Sequence, residues 1–394
     1  MAKLGDIFVK QIVGEWGNEC NNESNGVFVL RTTNFSNSGV INYDKVVKRD
    51  IPDNKVEEKK LKYGDIILEK SGGTDKTPVG RVVFCDNKIE SDVYLCNNFT
   101  QAMRVDNSIA IPKYVFYLMY YFHQIGITDL LQSKTTGIRN LRLRDYLNTD
   151  IKLPNLAEQE HCVIYLDKLT VLISLRQQQL EKLDELVKSR FIEMFGEIGT
   201  DKFGWGLFKI GDLCIINPKK SDDTRLSSEL DVSFVPMPAV SEHGDIDTSE
   251  TRKYDEVKTG FTYFADDDVL FAKITPCMEN GKGCVARHLC NGIGFGSTEF
   301  HVLRPTNKVN SVWVYAVTSF PKFREDAANN MTGSAGQRRV PAVFLEHYKI
   351  TLPPIELQEQ FAAFVEQTDK SKVSVQASIT KCHYLTKKGV NTHA

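Results

Sequence analysis

Ile151-Lys152-Leu153-Pro154 is followed by Gln159-Glu160, and 199 residues later Ile350-Thr351-Leu352-Pro353 is followed by Gln358-Glu359 in the same register. Further matches lie upstream. Thr136-Gly137-Ile138-Arg139 corresponds to Ala335-Gly336-Gln337-Arg338, Asp65-Ile66-Ile67-Leu68-Glu69-Lys70 to Asp268-Val269-Leu270-Phe271-Ala272-Lys273, and Leu4-Gly5-Asp6-Ile7 to Ile210-Gly211-Asp212-Leu213. The offset drifts from 206 to 203 to 199, as a duplication with a few loop deletions would leave it. A repeat of this size predicts one recognition unit present twice, because a catalytic cleft rarely needs two equivalent halves.

Each copy divides into a β-rich head and a helical tail. In the first, short apolar runs at 27–30, 65–68, 80–84 and 94–96 are separated by Gly, Asn and Asp clusters, a strand-and-turn pattern. The second repeats it at 234–235, 269–271, 284–286 and 300–303, and short helices are expected at 112–122 and 309–320. From 156 to 195 there is no Gly or Pro. There Leu166, Ile173, Leu180, Val187 and Met194 recur every seven residues, with Leu169 and Leu183 in the companion seam, which predicts a coiled-coil-like helix roughly 60 Å long. A second helix from 355 to about 388 carries Phe361, Thr368, Val375 and Cys382 on one seam and Val365 and Ile379 on the other, interrupted by Thr368 and Lys372. Both helices start after a Leu-Pro step.

The expected fold is α+β. It has two tandem α+β heads at 1–153 and 198–352, each followed by a long helix (154–197, then 353–394 with the tail), the helices packed as an antiparallel coiled-coil pair with pseudo-two-fold symmetry. Leu166, Ile173, Leu180, Val187, Phe361, Val375 and Ile379 are the expected helix-pair and partner interface.

Composition fits two cores of ordinary size: 394 residues, 41% hydrophobic, 25% charged. No apolar run approaches a membrane span and no signal-peptide pattern leads the chain, so a cytoplasmic location is expected. The nine cysteines are scattered, and Cys277, Cys284, His288 and Cys290 fit no common zinc spacing, so no metal is expected.

Two similar heads on an approximate two-fold suit a duplex, whose antiparallel strands offer two half-sites to equivalent surfaces. The net charge of −2 gives no global basic signature, but basic residues concentrate in loops. Lys134, Thr135, Thr136, Arg139, Asn140 and Arg142 lie in one loop, with Ser334, Gln337, Arg338 and Arg339 at the matching place. A second loop carries Lys70, Ser71, Gly72, Gly73, Lys76 and Arg81, and its counterpart carries Lys273, Thr275, Asn280 and Lys282. Arg, Asn and Gln bond base edges, Ser and Thr bond phosphates, and glycine admits close backbone approach. A solvated basic loop explains either copy alone. Recurrence at equivalent positions favours DNA contact, and a shared frame with diverged tips suits heads that read different sequences.

The chain resembles the specificity subunits of type I restriction-modification systems. The resemblance rests on Gly64-Asp65-Ile66-Ile67-Leu68-Glu69-Lys70-Ser71-Gly72-Gly73, on Asp268-Val269-Leu270-Phe271-Ala272-Lys273-Ile274-Thr275-Pro276, on Ser297-Thr298-Glu299-Phe300-His301-Val302-Leu303-Arg304-Pro305, and on the Leu-Pro-x-x-x-x-Gln-Glu start of both helices. It implies two target-recognition domains reading a bipartite double-stranded DNA site, with the helices binding two methyltransferase subunits and an ATP-driven restriction subunit able to join. It places S-adenosylmethionine on the methyltransferase partners and ATP on the restriction partner, with no cofactor on this non-catalytic chain. Only three residues precede the first anchor, so an N-terminal helical extension found in some members is not expected.

Other classes fit less well. Asn217-Pro218-Lys219-Lys220 lacks the aromatic of a base-flipping methyltransferase motif, and Gly292-Ile293-Gly294-Phe295-Gly296 reads as a glycine hairpin. Gly281-Lys282-Gly283 lacks the Ser or Thr of a P-loop, and Asp266-Asp267-Asp268 reads as a turn. The alternatives are a coiled-coil scaffold with no DNA role, or the specificity part of a fused methyltransferase/nuclease system.

Overall fold

The computed structural model describes residues 2–20, 26–74, 77–135, 137–334 and 336–391. The chain forms two compact units, Met1–Gln177 with Ala377–Ala394, and Gln178–Gln376. Each therefore holds one head and parts of both long helices, a division that differs from a head-then-helix order along the chain.

The first unit is built on an antiparallel sheet of β1 (Phe8–Val13), β2 (Ile66–Glu69), β3 (Val82–Phe84) and β4 (Thr100–Val105), in the order β1-β4-β2-β3. Both faces are covered, so its strands read as continuous apolar runs. Ile66, Leu68, Val82, Phe84 and Met103 face helix α1 (Pro112–Gln124). The alternate residues Ile67, Val83 and Ala102 pack with Leu30 and Cys96 of a second four-stranded sheet. In that sheet Val27–Leu30 and Tyr94–Cys96 run parallel. A hairpin of β5 (Gln132–Thr135) and β6 (Ile138–Leu141) completes the head, where the sequence suggested a loop.

The second unit repeats this order with β7 (Cys214–Ile216), β8 (Val269–Ala272), β9 (Gly283–Val285) and β10 (Phe300–Pro305), arranged β7-β10-β8-β9. Its outer sheet again has one parallel pair, Asp231–Val235 with Ile293–Gly296. Of the Gly292–Gly296 run expected as a hairpin, Ile293–Gly296 is a buried strand and Gly292 ends the turn before it. A Cβ at Gly294 would lie 2.2 Å from the Phe264 ring, so glycine is needed for packing. Asp266–Asp268 is a turn with Asp267 at φ 67°. Its last carboxylate takes the Arg304 guanidinium at 2.7 Å on each oxygen, as Asp65 takes Arg104 at 2.8 and 2.7 Å in the first head. Helices α3 (Ser311–Ser319) and α4 (Pro321–Asn329) cover the sheet, the latter not foreseen from sequence.

The long helices are α2 (Leu156–Phe195) and α5 (Ile355–Asn391). Asn155 and Glu158 form a reciprocal capping box at the start of α2, each side chain accepting from the other's amide at 3.0 and 3.2 Å. In the first unit, Leu166 and Leu169 near the start of α2 pack with Cys382 and Leu385 near the end of α5. In the second, Phe191 and Phe195 near the end of α2 meet Phe361 near the start of α5 edge to face, with ring centroids 5.5 Å apart in both cases. The helices are thus antiparallel. Leu166, Phe361, Val375 and Ile379 are buried, and Ile173, Leu180 and Val187 are half-buried. Thr368 does not interrupt the seam: it is buried, and its hydroxyl donates to the Phe364 carbonyl at 2.9 Å. Lys372 is tied to Asp184 at 2.7 Å.

The same glutamine anchors each helix to its head. Gln159 accepts from the Ile111 amide at 2.8 Å and donates to the carbonyls of Pro154 and Ile109. Gln358 repeats this with Asn310, Pro353 and Lys308. Both side chains are fully buried, which explains why Leu-Pro-x-x-x-x-Gln recurs. All nine cysteines are free thiols, and no helix among the described residues is long and apolar enough to cross a membrane.

Candidate nucleic-acid interface

In the first head the loop after β2 and the β5–β6 hairpin form one surface. Ser71–Gly73 pairs with β6, setting Arg139 opposite Gly73 and Asn140 opposite Ser71. The Leu141 amide donates to the Lys70 carbonyl at 2.8 Å, and the Ser71 hydroxyl donates to the Asn140 side chain. Gly72 (φ 99°) is exposed, and Gly137 (φ 84°) forms the hairpin tip with open space about it. Lys70 is half-buried at the base, where desolvation lowers its ammonium pKa. Lys76 and Thr136 lie outside the described residues. Lys134 and Thr135 contribute their backbone to β5.

Two basic residues expected at this surface are engaged elsewhere. Arg81 makes a two-bond fork to Glu69 at 2.8 and 3.0 Å and also donates to the carbonyls of Phe35 and Thr32. It ties the head together. Arg142 donates to the Leu130 carbonyl at 3.0 Å and pairs with Asp145 at 3.2 Å, bracing the exit from the hairpin.

The second head uses the same frame with fewer strand pairs. The Val340 amide donates to the Lys273 carbonyl at 2.9 Å, the counterpart of Leu141 on Lys70, and Arg339 bridges both Ile274 and Thr332. Gly336 (φ 82°) stands at the tip, as Gly137 does. Asn280, Ser334 and Gln337 are exposed, and Ala335 lies outside the described residues. Lys273 is half-buried with its pKa lowered chiefly by desolvation, which the nearby Glu299 opposes.

Three expected contacts are again engaged within the head, Arg339 with its side chain still 41% exposed. The Arg339 guanidinium forks onto Glu299 at 2.9 and 2.8 Å and donates to the Gln337 carbonyl. This pairing holds the Glu299 carboxyl below its usual range. Thr275 contacts the Met331 sulfur at 3.7 Å, and Lys282 reaches the Met237 carbonyl at 3.3 Å. Arg338 is half-exposed with one bond to Glu279 at 3.1 Å. Arg324 lies behind the loop, buried, donating to the carbonyls of Met278, Gly281 and Lys282. Sequence reasoning did not single out Glu279, which lies within the loop that carries Thr275 and Asn280, or Glu299, Arg324 and Phe99, which join the loops only in space.

Among the described residues no three His, Cys, Asp or Glu side chains converge as a metal site. What the heads offer is a pair of loops with exposed amides, hydroxyls and arginines, chemistry suited to base edges and phosphates.

The chain belongs to the family of the type I restriction modification DNA specificity domain, which matches residues 1–185 and again 203–381. It is 42% identical over 155 residues to the type I restriction enzyme EcoEI specificity subunit of Escherichia coli, covering 38% of this chain and 25% of that protein. The EcoAI specificity subunit of the same species is 42% identical over 161 residues, covering 40% of this chain and 26% of that protein. The match thus spans about a quarter of each of these relatives. The StySPI specificity subunit of Salmonella potsdam is 22% identical over 379 residues, 91% of this chain and 79% of that protein. Two solved chains share the fold. One, from work on assembly and conformational transition of the type I R-M system, is 16% identical with TM-score 0.58, covering 100% of this chain and 96% of that chain. The S subunit of M. genitalium is 13% identical with TM-score 0.51, covering 99% and 94%.

Proposed function

We propose that this chain is the DNA sequence-specificity subunit of a type I restriction-modification complex. Each head reads one half of a bipartite double-stranded site, and the helices recruit two methyltransferase subunits. The adenine chemistry and its S-adenosylmethionine belong to those partners, and ATP belongs to a restriction subunit where one is present. The observation that carries this reading is that one two-sheet fold occurs twice with the same loop frame but different tip residues: Ser71, Gly72 and Arg139 in one head, Asn280, Gln337 and Arg338 in the other. Shared frame with changed tips is how one scaffold addresses two sequences.

Exposed apolar residues on α2 support a partner role for the helices. Val171 and Leu175 are 59% and 56% exposed on a helix that buries Leu166 and Leu169 on its other side. Such side chains suit the apolar centre of a protein interface.

The test is to map methylated adenines in cells with and without the chain. The expected result is a two-part motif that disappears with the chain, one half of which changes when the tip residues of one head are exchanged. An unchanged methylation map would reject the reading.

A further inference from the structure

One backbone slot in the two heads carries opposite chemistry. The Phe99 carbonyl accepts from the amides of Lys70 and Ser71 at 3.0 and 3.1 Å, and the Glu299 carbonyl accepts from the Lys273 amide at 2.9 Å. Thr100 then pairs with Glu69 as Phe300 pairs with Ala272. Phe99 and Glu299 are therefore equivalent, and so are Asn140 and Arg339, each one residue before the amide that closes on the lysine carbonyl. In the second head the slot is closed on itself by the fork from Arg339 to Glu299. In the first, Phe99 is 43% exposed, and among the described residues no aromatic ring or cation stacks on it. A Cβ on Gly72 would come within 3.9 Å of the ring, so the glycine leaves the ring uncovered.

Resting on the DNA-reading role proposed above, we infer that Phe99 is a specificity-determining residue of the first head, contacting the 5-methyl group of thymine in the major groove. The backbone at residue 99 is pinned by two amides, so the ring sits on a fixed point within a polar surface that includes Ser71, Asn140 and Arg139. The exposed part of Phe99 is an apolar patch set in that polar frame, large enough to receive a methyl group. Thymine is the base whose major-groove edge carries an apolar group, and an apolar side chain is its complement. The second head, with an ion pair in the slot, has no such contact to make there.

The test uses the full chain. Its preferred site is first recovered from a randomised duplex library, and each thymine of that site is then replaced singly by uracil, which removes only the methyl group. One uracil, in one half-site, is expected to weaken binding by roughly three- to tenfold. Phe99→Ala should lose a similar factor on the thymine duplex and become indifferent to that uracil, while Phe99→Leu keeps the discrimination and both variants keep the preference at the other half-site. A Phe99→Ala chain that still distinguishes thymine from uracil, or that weakens equally on every sequence, overturns the inference. A recovered motif with no uracil-sensitive position overturns it without any variant, leaving the DNA-reading role intact. Recovery of no motif by the wild-type chain overturns that role, and this inference with it.

Discussion

Arg338 donates to Glu279 across 3.1 Å, joining the tip of one recognition loop of the second head to the other. The pair is partly exposed, and such pairs contribute about 0.2–1 kcal/mol, so an incoming guanine edge can displace the carboxylate. Arg339, one residue on, is held by two bonds to Glu299 within the fold. Arg338→Ala is therefore expected to weaken binding by roughly 1–3 kcal/mol at one half-site while the melting temperature stays put. Arg339→Ala is expected to lower the melting temperature of the second head. Competition binding on duplexes altered in one half-site, together with thermal melts of both variants, checks the split; equal effects of the two on stability would reject it.

Gln159 and Gln358 make the same three hydrogen bonds, each from a fully buried amide. Gln159→Ala leaves the Ile111 amide and two carbonyls without their partner, which is expected to cost roughly 1–3 kcal/mol. Gln159→Glu keeps the acceptor and loses the donor. Urea unfolding should rank wild type above Ala and Ala above or equal to Glu, since the carboxylate must be buried facing two carbonyl oxygens.

Much of the architecture was legible because it is written locally. The bounds of α2 were readable as 156–195 since no Gly or Pro interrupts them and a Leu-Pro step precedes them. The repeat anchors were legible for a tertiary reason visible only afterwards: the Asp of each Gly-Asp or Asp-Asp turn takes an arginine from the neighbouring strand, Asp65 with Arg104 and Asp268 with Arg304. The site was less legible. Its loops could be found from basic residues and glycines, but how firmly each arginine is held depends on carboxylates far along the chain. Glu69 is 12 residues from Arg81 and Glu299 is 40 from Arg339, and no local pattern encodes those pairings. Phe99 gave no signal at all, because an isolated phenylalanine in sequence reads as core.

His301 fills the position that Gln101 fills in the first head, and burial lowers its pKa from the ordinary 6.5. Its Nε2–H donates to the Val340 carbonyl at 2.8 Å, and the Asn217 amide donates to Nδ1 at 3.2 Å, an arrangement that needs the neutral ring. The unfolded chain takes up a proton near pH 6.5 and the folded one only at lower pH. Stability from this site is thus fully present above about pH 6.5 and is lost as pH falls from there towards the folded value. Melting temperatures across pH 5 to 7.5 should fall on the acid side, and His301→Gln should flatten that limb. A slope unchanged in the variant would assign it to other groups.

The proposed recruitment of methyltransferase subunits can be tested apart from folding at two positions of α2. Leu180 is half-buried in the seam beside the Asp184–Lys372 pair, whereas Leu175 is more than half exposed. An aspartate at 180 places an unpaired charge where it is partly desolvated and adjacent to Asp184, one turn away. Leu180→Asp is therefore expected to lower the melting temperature as well as weaken assembly with methyltransferase chains. Leu175→Asp adds its charge on the water-facing side. It should melt like the wild type yet release the partner, because the centre of an apolar interface does not tolerate an unpaired carboxylate. Size-exclusion chromatography of each variant with its partner, beside thermal melts, distinguishes the two positions. A stable complex formed by Leu175→Asp would place the methyltransferase contact elsewhere on the chain.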